Sequence, residues 1–289
     1  MSCKAVLVVK ALAILIVLAL VAFLALHKEP ETLTFVFHPG ETTDLSVLRE
    51  MFGPIVDATC EKLGRECEMV VATDYAAVME SLRNGTADVS RIGSTMYVLT
   101  RNEFPIRLVA WDIIKGEDHY HSVLIGRPGI WQEPFTMDQL KGKSVAFVTP
   151  SSTSGYIAPL TLMAEAGLTL EDLGSYYFTE NHPAAVEALL NGQVDVACTG
   201  NTITRELVAS GRAVEGIDFV TLIESPPLVM DAWAIGPGVD PKMGDRIAEA
   251  LLSLPPSAFE GSYLDGFAPV DLAAYEFNEK MLRLSGALK

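Results

Sequence analysis

Basic residues are scarce in this chain: 21 lysines and arginines stand against 37 aspartates and glutamates, a formal charge of −16. A nucleic-acid surface needs a basic face, so that class of partner is excluded. Adhesion to anionic lipid through charge is excluded on the same ground. Catalytic signatures are lacking too. There is no Gly-x-x-x-x-Gly-Lys loop, no Gly-x-Ser-x-Gly elbow and no His-Glu-x-x-His helix, nor a pair of carboxylates beside a plausible nucleophile. Cysteines number four. Cys3 has no lipobox before it, Cys60 and Cys67 lie close enough to be bridged or to stay free, and Cys198 stands alone, as buried small residues do. None of these absences excludes a small anionic ligand, which a site can hold through local dipoles against an unfavourable overall field.

What is present begins with the N-terminus. Lys4 and Lys10 precede the apolar run Ala11–Leu26, and the polar His27-Lys28-Glu29-Pro30 follows. This pattern predicts a leader over residues 1–30: a hydrophobic helix that is either a cleaved signal or an uncleaved anchor over about 5–26. The flanking lysines place the remainder outside the cytoplasm. Hydrophobic residues make up 49% of the chain, enough for a sizeable core rather than a disordered segment. The length suits two lobes.

An internal repeat gives the architecture. Ala77-Val78-Met79-Glu80-Ser81-Leu82-Arg83-Asn84-Gly85-Thr86-Ala87-Asp88-Val89 is matched by Ala184-Ala185-Val186-Glu187-Ala188-Leu189-Leu190-Asn191-Gly192-Gln193-Val194-Asp195-Val196. Gly93-Ser94-Thr95 and Gly200-Asn201-Thr202 follow at the same spacing. Each copy reads as a helix stopped at Asn-Gly, a short apolar strand and a small polar loop. A further strand, Ser144–Val148, and helix, Ile157–Ala166, make the class α/β with mixed sheets flanked by helices. The chain is expected to cross between lobes at Lys115–His121 and at Glu224–Met230. Residues 31–115 and 231–289 then form one lobe and 116–230 the other with its crossover segments, with a ligand cleft between them at the carboxyl ends of the strands.

The candidate site is built around Ser151-Ser152-Thr153-Ser154-Gly155, a hydroxyl-rich turn between a strand and a helix. Ser152, Thr153 and Ser154 offer three donors for one tetrahedral oxyanion. Tyr75 and His182 hold equivalent places in the two repeat copies, each just before its helix. Asp231, just after the second crossing, is expected to face the guest, where a carboxylate is favourable only if a proton lies between them. Arg91, Ser94, Thr95 and Thr202, in the loops after the two repeat strands, are further candidates. The resulting site grips its guest by hydroxyls and amides rather than by a fixed cation. His119 and His121, with Asp112, Glu117 and Asp118, read either as a metal cluster or as a charged, mobile crossing. The site needs no metal and no cofactor.

At these residues the chain resembles the phosphate/phosphite/phosphonate-binding components of ABC importers, which have the two-lobed type II periplasmic binding fold. The likeness covers most of residues 33–285. It runs through Thr73-Asp74-Tyr75, Ser-Thr-Ser-Gly at 152–155, the segment around His182, Gln193-Val194-Asp195-Val196-Ala197, Ser225-Pro226 and Gly266-Phe267-Ala268-Pro269. The resemblance implies that Tyr75, Ser152, Thr153, Ser154, His182 and Asp231 contact the ligand. The soluble part is expected to be monomeric, with an ABC permease, or else a sensor kinase, as its partner. Two departures bear on the ligand. The acidic residue of aminoethylphosphonate binders aligns near Thr202, and a second family tyrosine aligns with Ile92, beside Arg91. Both favour a small guest: phosphite, phosphate or methylphosphonate. Alternatives are a tethered sensor of a phosphorus or arsenic oxyanion that signals to a membrane kinase, with Cys198 as the arsenite ligand, and an enzyme on the same fold.

Overall fold

A computed structural model describes residues 32–38, 40 and 44–286. The expected leader lies outside the described residues. Among those described, no helix is long and apolar enough to cross a membrane.

The chain opens with strand β1 (Leu33–Phe37), helix α1 (Leu45–Leu63), β2 (Cys67–Val71), α2 (Tyr75–Asn84), β3 (Val89–Ile92), α3 (Ser94–Thr100) and β4 (Arg107–Ile113). A first crossing carries β5 (His119–Tyr120). Then come β6 (Ser122–Gly126), β7 (Ser144–Phe147), α4 (Ala158–Glu165), β8 (Ser175–Phe178), α5 (His182–Leu190), β9 (Val196–Gly200), α6 (Asn201–Ala209) and β10 (Val220–Glu224). The second crossing carries β11 (Leu228–Val229), and the chain returns through β12 (Ala232–Ile235), α7 (Pro241–Leu252), β13 (Gly266–Ala268) and α8 (Tyr275–Leu284).

These strands make two large sheets. One has the order β13-β4-β12-β3-β1-β2, the other β10-β6-β9-β7-β8. The two share a plan. In the first, β1 pairs in parallel with β2 and β3; in the second, β7 does so with β8 and β9. An antiparallel strand arriving from a crossing, β12 or β6, then lies beside β3 or β9. The repeat in the sequence is thus one α–β unit used once per lobe: α2 with β3, and α5 with β9. Gly85 and Gly192, at φ 77° and 70°, end the two helices in the left-handed region where a side chain would be strained.

Side chains alternate between the two faces of each sheet as period two requires, and both faces of the central strands are buried. Leu33, Phe35 and Phe37 pack with Phe52, Ile55 and Trp233 on one face of the first sheet, while Val36 meets Val78 and Leu82 on the other. In the second lobe Val123, Ile125 and Ala197 pack with Val186 and Leu189, and Leu124, Phe147 and Cys198 with Met163 and Leu168. Both crossings are ordered. β5 and β11 pair with each other, Tyr120 opposite Leu228 and His119 opposite Val229. The crossing at 115–121 is therefore a pinned two-stranded ribbon, not the mobile charged segment expected from its composition. Nor does it assemble a metal cluster: Asp112 is wholly buried on β4, His121 Nδ1 is 2.7 Å from the Ser225 carbonyl, and no metal-binding group of His, Cys, Asp and Glu occurs among the described residues.

Cys60, in the last turn of α1, is disulfide-bonded to Cys67 at the start of β2, with Cα atoms 6.3 Å apart. The bridge closes the turn at Gly64, whose φ is 65°. Replacing both cysteines by serine is expected to lower stability by about 2–3 kcal/mol, the chain-entropy value for so short a loop, read from denaturant midpoints. An unchanged midpoint would mean that the unfolded chain is already constrained there.

Candidate functional site

The loops at the carboxyl ends of the parallel strands face one another across a cleft of about 760 Å³. Its walls include His38, Tyr75, Arg91 and Asp231 from the first lobe and Ser151–Ser154, His182 and Thr202 from the second. Tyr75 and His182 open α2 and α5, whose N-caps are Asp74 and Asn181; each cap side chain accepts a backbone N–H. Sequence periodicity therefore fixes where both residues stand. His182 Nδ1 is 2.9 Å from Thr199 Oγ1, and the His182 amide donates across the cleft to the Gly40 carbonyl at 3.1 Å.

The serine-rich turn sits between β7 and α4. Residues Thr153–Ile157 form a single π-turn, capped by the Ser152 hydroxyl, which accepts the Gly155 amide at 3.1 Å. That leaves the Ser152 hydroxyl proton to donate. Ser154 Oγ, also on the cleft wall, has no hydrogen-bond partner among the described residues. Thr153 differs from its neighbours. Its hydroxyl donates to Thr95 Oγ1 at 2.9 Å, accepts the Thr95 amide at 3.1 Å, and lies 3.1 Å from Ser94 Oγ. Ser94 Oγ already receives Asn278 Nδ2 at 2.6 Å, so its own proton goes to Thr153. The Thr153 side chain is thus saturated by contacts that join the lobes. Ser94 and Thr95 are buried behind it and are not on the cleft wall.

Arg91 and the largely buried Asp231 are the inner charges of the site; Lys115, Glu117, Arg205, Glu206, Arg212 and Asp265 also line the cleft. Arg91, 4% exposed, is the penultimate residue of β3. Its Nε donates to Asp112 Oδ2 at 2.5 Å and its Nη1 to Asp231 Oδ2 at 2.9 Å. The guanidinium also lies over the rings of Phe52 and Tyr263, 5.3 and 5.8 Å from their centroids. Asp112 receives Trp233 Nε1 on its other oxygen at 2.9 Å. Burial pushes the Asp112 carboxyl up, to about 6, against the pull of Arg91 and with a further push from the Asp231 charge. At Asp231 the balance is opposite. Burial would raise it, but Arg91, the His38 hydrogen bond and the nearby His182 together hold it well below the usual carboxylate range. A fixed cation does stand in the cleft wall, contrary to the sequence expectation, but two carboxylates occupy it.

His38 was not among the sequence candidates. It follows β1, its ring stacks on Tyr75 at 4.9 Å between centroids, and its Nε2 is 3.2 Å from Asp231 Oδ2. The available signal was positional: His38-Pro39-Gly40 directly follows an apolar strand, as the other site loops do. Cys198 lies on β9, 1% exposed and away from the cleft wall, and burial pushes its thiol up. It offers no thiolate to arsenite.

The family profile described as "ABC transporter, phosphonate, periplasmic substrate-binding protein" matches residues 35–275. A phosphate-import protein PhnD of Mycolicibacterium smegmatis is 25% identical over 231 residues, 75% of this chain and 70% of that protein. Among solved structures, PhnD1 from Prochlorococcus marinus in complex with methylphosphonate superposes with a TM-score of 0.76 at 16% identity, covering 88% of this chain and 98% of that one. A binding-protein component of an ABC phosphonate transporter from Pseudomonas aeruginosa gives a TM-score of 0.77 at 15% identity, covering 89% and 87%. The shared architecture is the type II periplasmic binding fold.

Two outcomes follow from the side-chain geometry. Thr153→Val strands the buried Thr95 amide and is expected to destabilise the protein by about 1–3 kcal/mol, whereas Ser154→Ala breaks no internal hydrogen bond and should leave the denaturation midpoint nearly unchanged. Equal midpoints for the two variants would contradict the inter-lobe role of Thr153. In native protein Cys198 should resist alkylation, read by mass spectrometry of its peptide, and react only on unfolding; rapid native labelling would contradict its burial.

Proposed function

The chain belongs to the family of phosphonate periplasmic substrate-binding proteins of ABC transporters, and from that premise we propose that it captures a small phosphorus oxyanion in the cleft between its lobes. The observation that carries the reading is convergence. Tyr75 and Asp231 from one lobe, and Ser152, Ser154 and His182 from the other, line one cleft at the strand ends. Residues 31–115 with 231–289, and residues 116–230, act as the two closing bodies, hinged on the β5–β11 ribbon. The closed form is what an ABC permease receives.

The ligand class follows from charge. With Arg91 held between Asp112 and Asp231, the guanidinium and its two carboxylates are together formally one charge negative. A fully ionised guest meets Asp231 unfavourably. A guest that keeps one proton on oxygen instead donates it to the carboxylate. Hydroxyl donors from the serine turn and Tyr75 satisfy its remaining oxygens. Phosphite, phosphate and methylphosphonate can all be singly protonated; sulfate is not near neutral pH. The methylphosphonate bound by the Prochlorococcus protein and the phosphate import named for the mycobacterial relative support the same class. The position near Thr202 is not acidic, although Glu206, one turn further along α6, lines the cleft with Glu117 and Asp265; the preference for small guests therefore rests on the proton offered to Asp231.

Titration calorimetry should show one site for phosphite, phosphate or methylphosphonate and little heat with sulfate or arsenite. Heat with none of the three phosphorus compounds would reject the class. Asp231→Asn is expected to weaken binding of singly protonated methylphosphonate about tenfold or more, through loss of a hydrogen bond to a charged acceptor; an unchanged affinity would remove Asp231 from the role.

A further inference from the structure

The Gly40 amide donates to His38 Nδ1 at 3.0 Å. A nitrogen that accepts a hydrogen bond carries no proton, so the ring proton is on Nε2. Nε2 faces Asp231 Oδ2 at 3.2 Å, the same oxygen that receives Arg91 Nη1 at 2.9 Å. Two donors therefore converge on Oδ2. The other oxygen, Oδ1, lies on the side of Gly93: a methyl group built on Gly93 would lie 3.4 Å from Oδ1, and 3.7 Å from Thr153 Oγ1. Gly40 leaves no latitude either, since a methyl group there would come within 2.6 Å of His38 Nδ1 and 2.4 Å of the Tyr75 hydroxyl. The loop backbone, the imidazole and the Tyr75 ring stacked on it form one close-packed unit.

We propose that His38 is a positioning residue for ligand selection: as the neutral Nε2–H tautomer fixed by Gly40, it pins Asp231 through Oδ2 so that a single acceptor oxygen, Oδ1, reads the proton on the bound oxyacid. The reason is geometric. Arg91 alone leaves the carboxylate free to rotate about its bond to Cβ and to share both oxygens with water or guest. A second donor from the opposite side of the first sheet removes that freedom. The guest then meets one acceptor at one place. An anion with a proton there gains a charge-assisted hydrogen bond, and an anion without one meets a lone pair that cannot turn away. His38 acts through Asp231 and need not touch the guest. The ionisable groups around it are Tyr75, Asp231, Arg91 and, across the cleft, His182. The proposal rests on the oxyanion reading above and adds the residue that sets its selectivity.

Two measurements decide it. Nitrogen-15 NMR of the ligand-free wild-type protein should report His38 as neutral, protonated at Nε2 and unprotonated at Nδ1. The Nδ1–H tautomer, or an imidazolium at neutral pH, would overturn the proposal without bearing on what the cleft binds. Calorimetry of His38→Phe, which keeps a ring against Tyr75 but removes the donor, should lower the preference for singly protonated methylphosphonate over sulfate about tenfold, the loss of one hydrogen bond to a charged group. An unchanged ratio overturns the proposal while leaving the oxyanion reading intact. Failure of the wild-type protein to bind methylphosphonate, phosphate or phosphite would sink the oxyanion reading and, with it, any selecting role for His38.

Discussion

The pairing of Arg91 with two carboxylates is the constraint around which the site is arranged. A guanidinium buried this deeply would be strongly unfavourable alone, and so would Asp112, which is entirely removed from solvent. Each makes the other tolerable, and the geometry that allows it comes from the sheet. Arg91 on β3 lies opposite Trp233 on β12, and Trp111, next to Asp112 on β4, lies opposite Ala232. Trp233 in turn donates to Asp112. Two strands near one another in the chain, β3 and β4, must pair in register with β12, which arrives from more than a hundred residues away, for this to happen. A one-residue slip would turn Arg91 to the other face and leave Asp112 as an unpaired buried charge. The electrostatics therefore stabilise the correct register as much as the register organises the electrostatics.

What was legible in the sequence is what is local. The two Asn-Gly helix ends, the Asp-Val strand starts and the polar loops after them are short-range signals, and their repetition exposed one α–β unit per lobe. The position of Tyr75 and His182 at helix starts followed from the same pattern, because a helix terminus fixes its first residues whatever the tertiary structure. The serine turn was visible for the same reason. Hidden were properties that depend on what the neighbour across the cleft is doing. Ser152, Thr153 and Ser154 looked alike as three hydroxyls in a row. Only the approach of Ser94, Thr95 and Asn278 from elsewhere in the chain commits the middle one. His38 has no counterpart in the second lobe, where β7 runs on into Val148 and Thr149, so no repetition called attention to it.

The crossings illustrate the same limit. A stretch with Lys115, Glu117, Asp118, His119 and His121 has the composition of a solvated linker. Yet Tyr120 is half-buried and packs against both cores of the first lobe, and the ribbon it forms with Leu228 and Val229 ties the two crossings together. Pairing between segments more than a hundred residues apart overrides local polarity. For a two-lobed protein this matters mechanically, since a pair of hydrogen-bonded strands bends as a unit and keeps the lobes in one relative twist.

A net charge of −16 is a poor starting point for capturing an anion, and the structure suggests how the cost is confined. On the proposed reading, the inner site does not oppose the overall field with surplus positive charge; it supplies neutral donors and one carboxylate that asks for a proton. Binding strength then rests on short-range hydrogen bonds, which salt screens weakly once the cleft closes. The contacts already joining the lobes, Thr153 to Ser94 and Thr95 and His182 to Gly40, are individually modest. Each is of the size that, on the proposed two-body closure, would keep open and closed forms within a few kcal/mol of one another. In such a balance a guest shifts the population only by its differential contacts with the closed form. Those contacts come from side chains on both lobes, so recognition and closure draw on one set of hydrogen bonds. On the proposed reading, an anion that lacks the proton for Asp231 forfeits part of both.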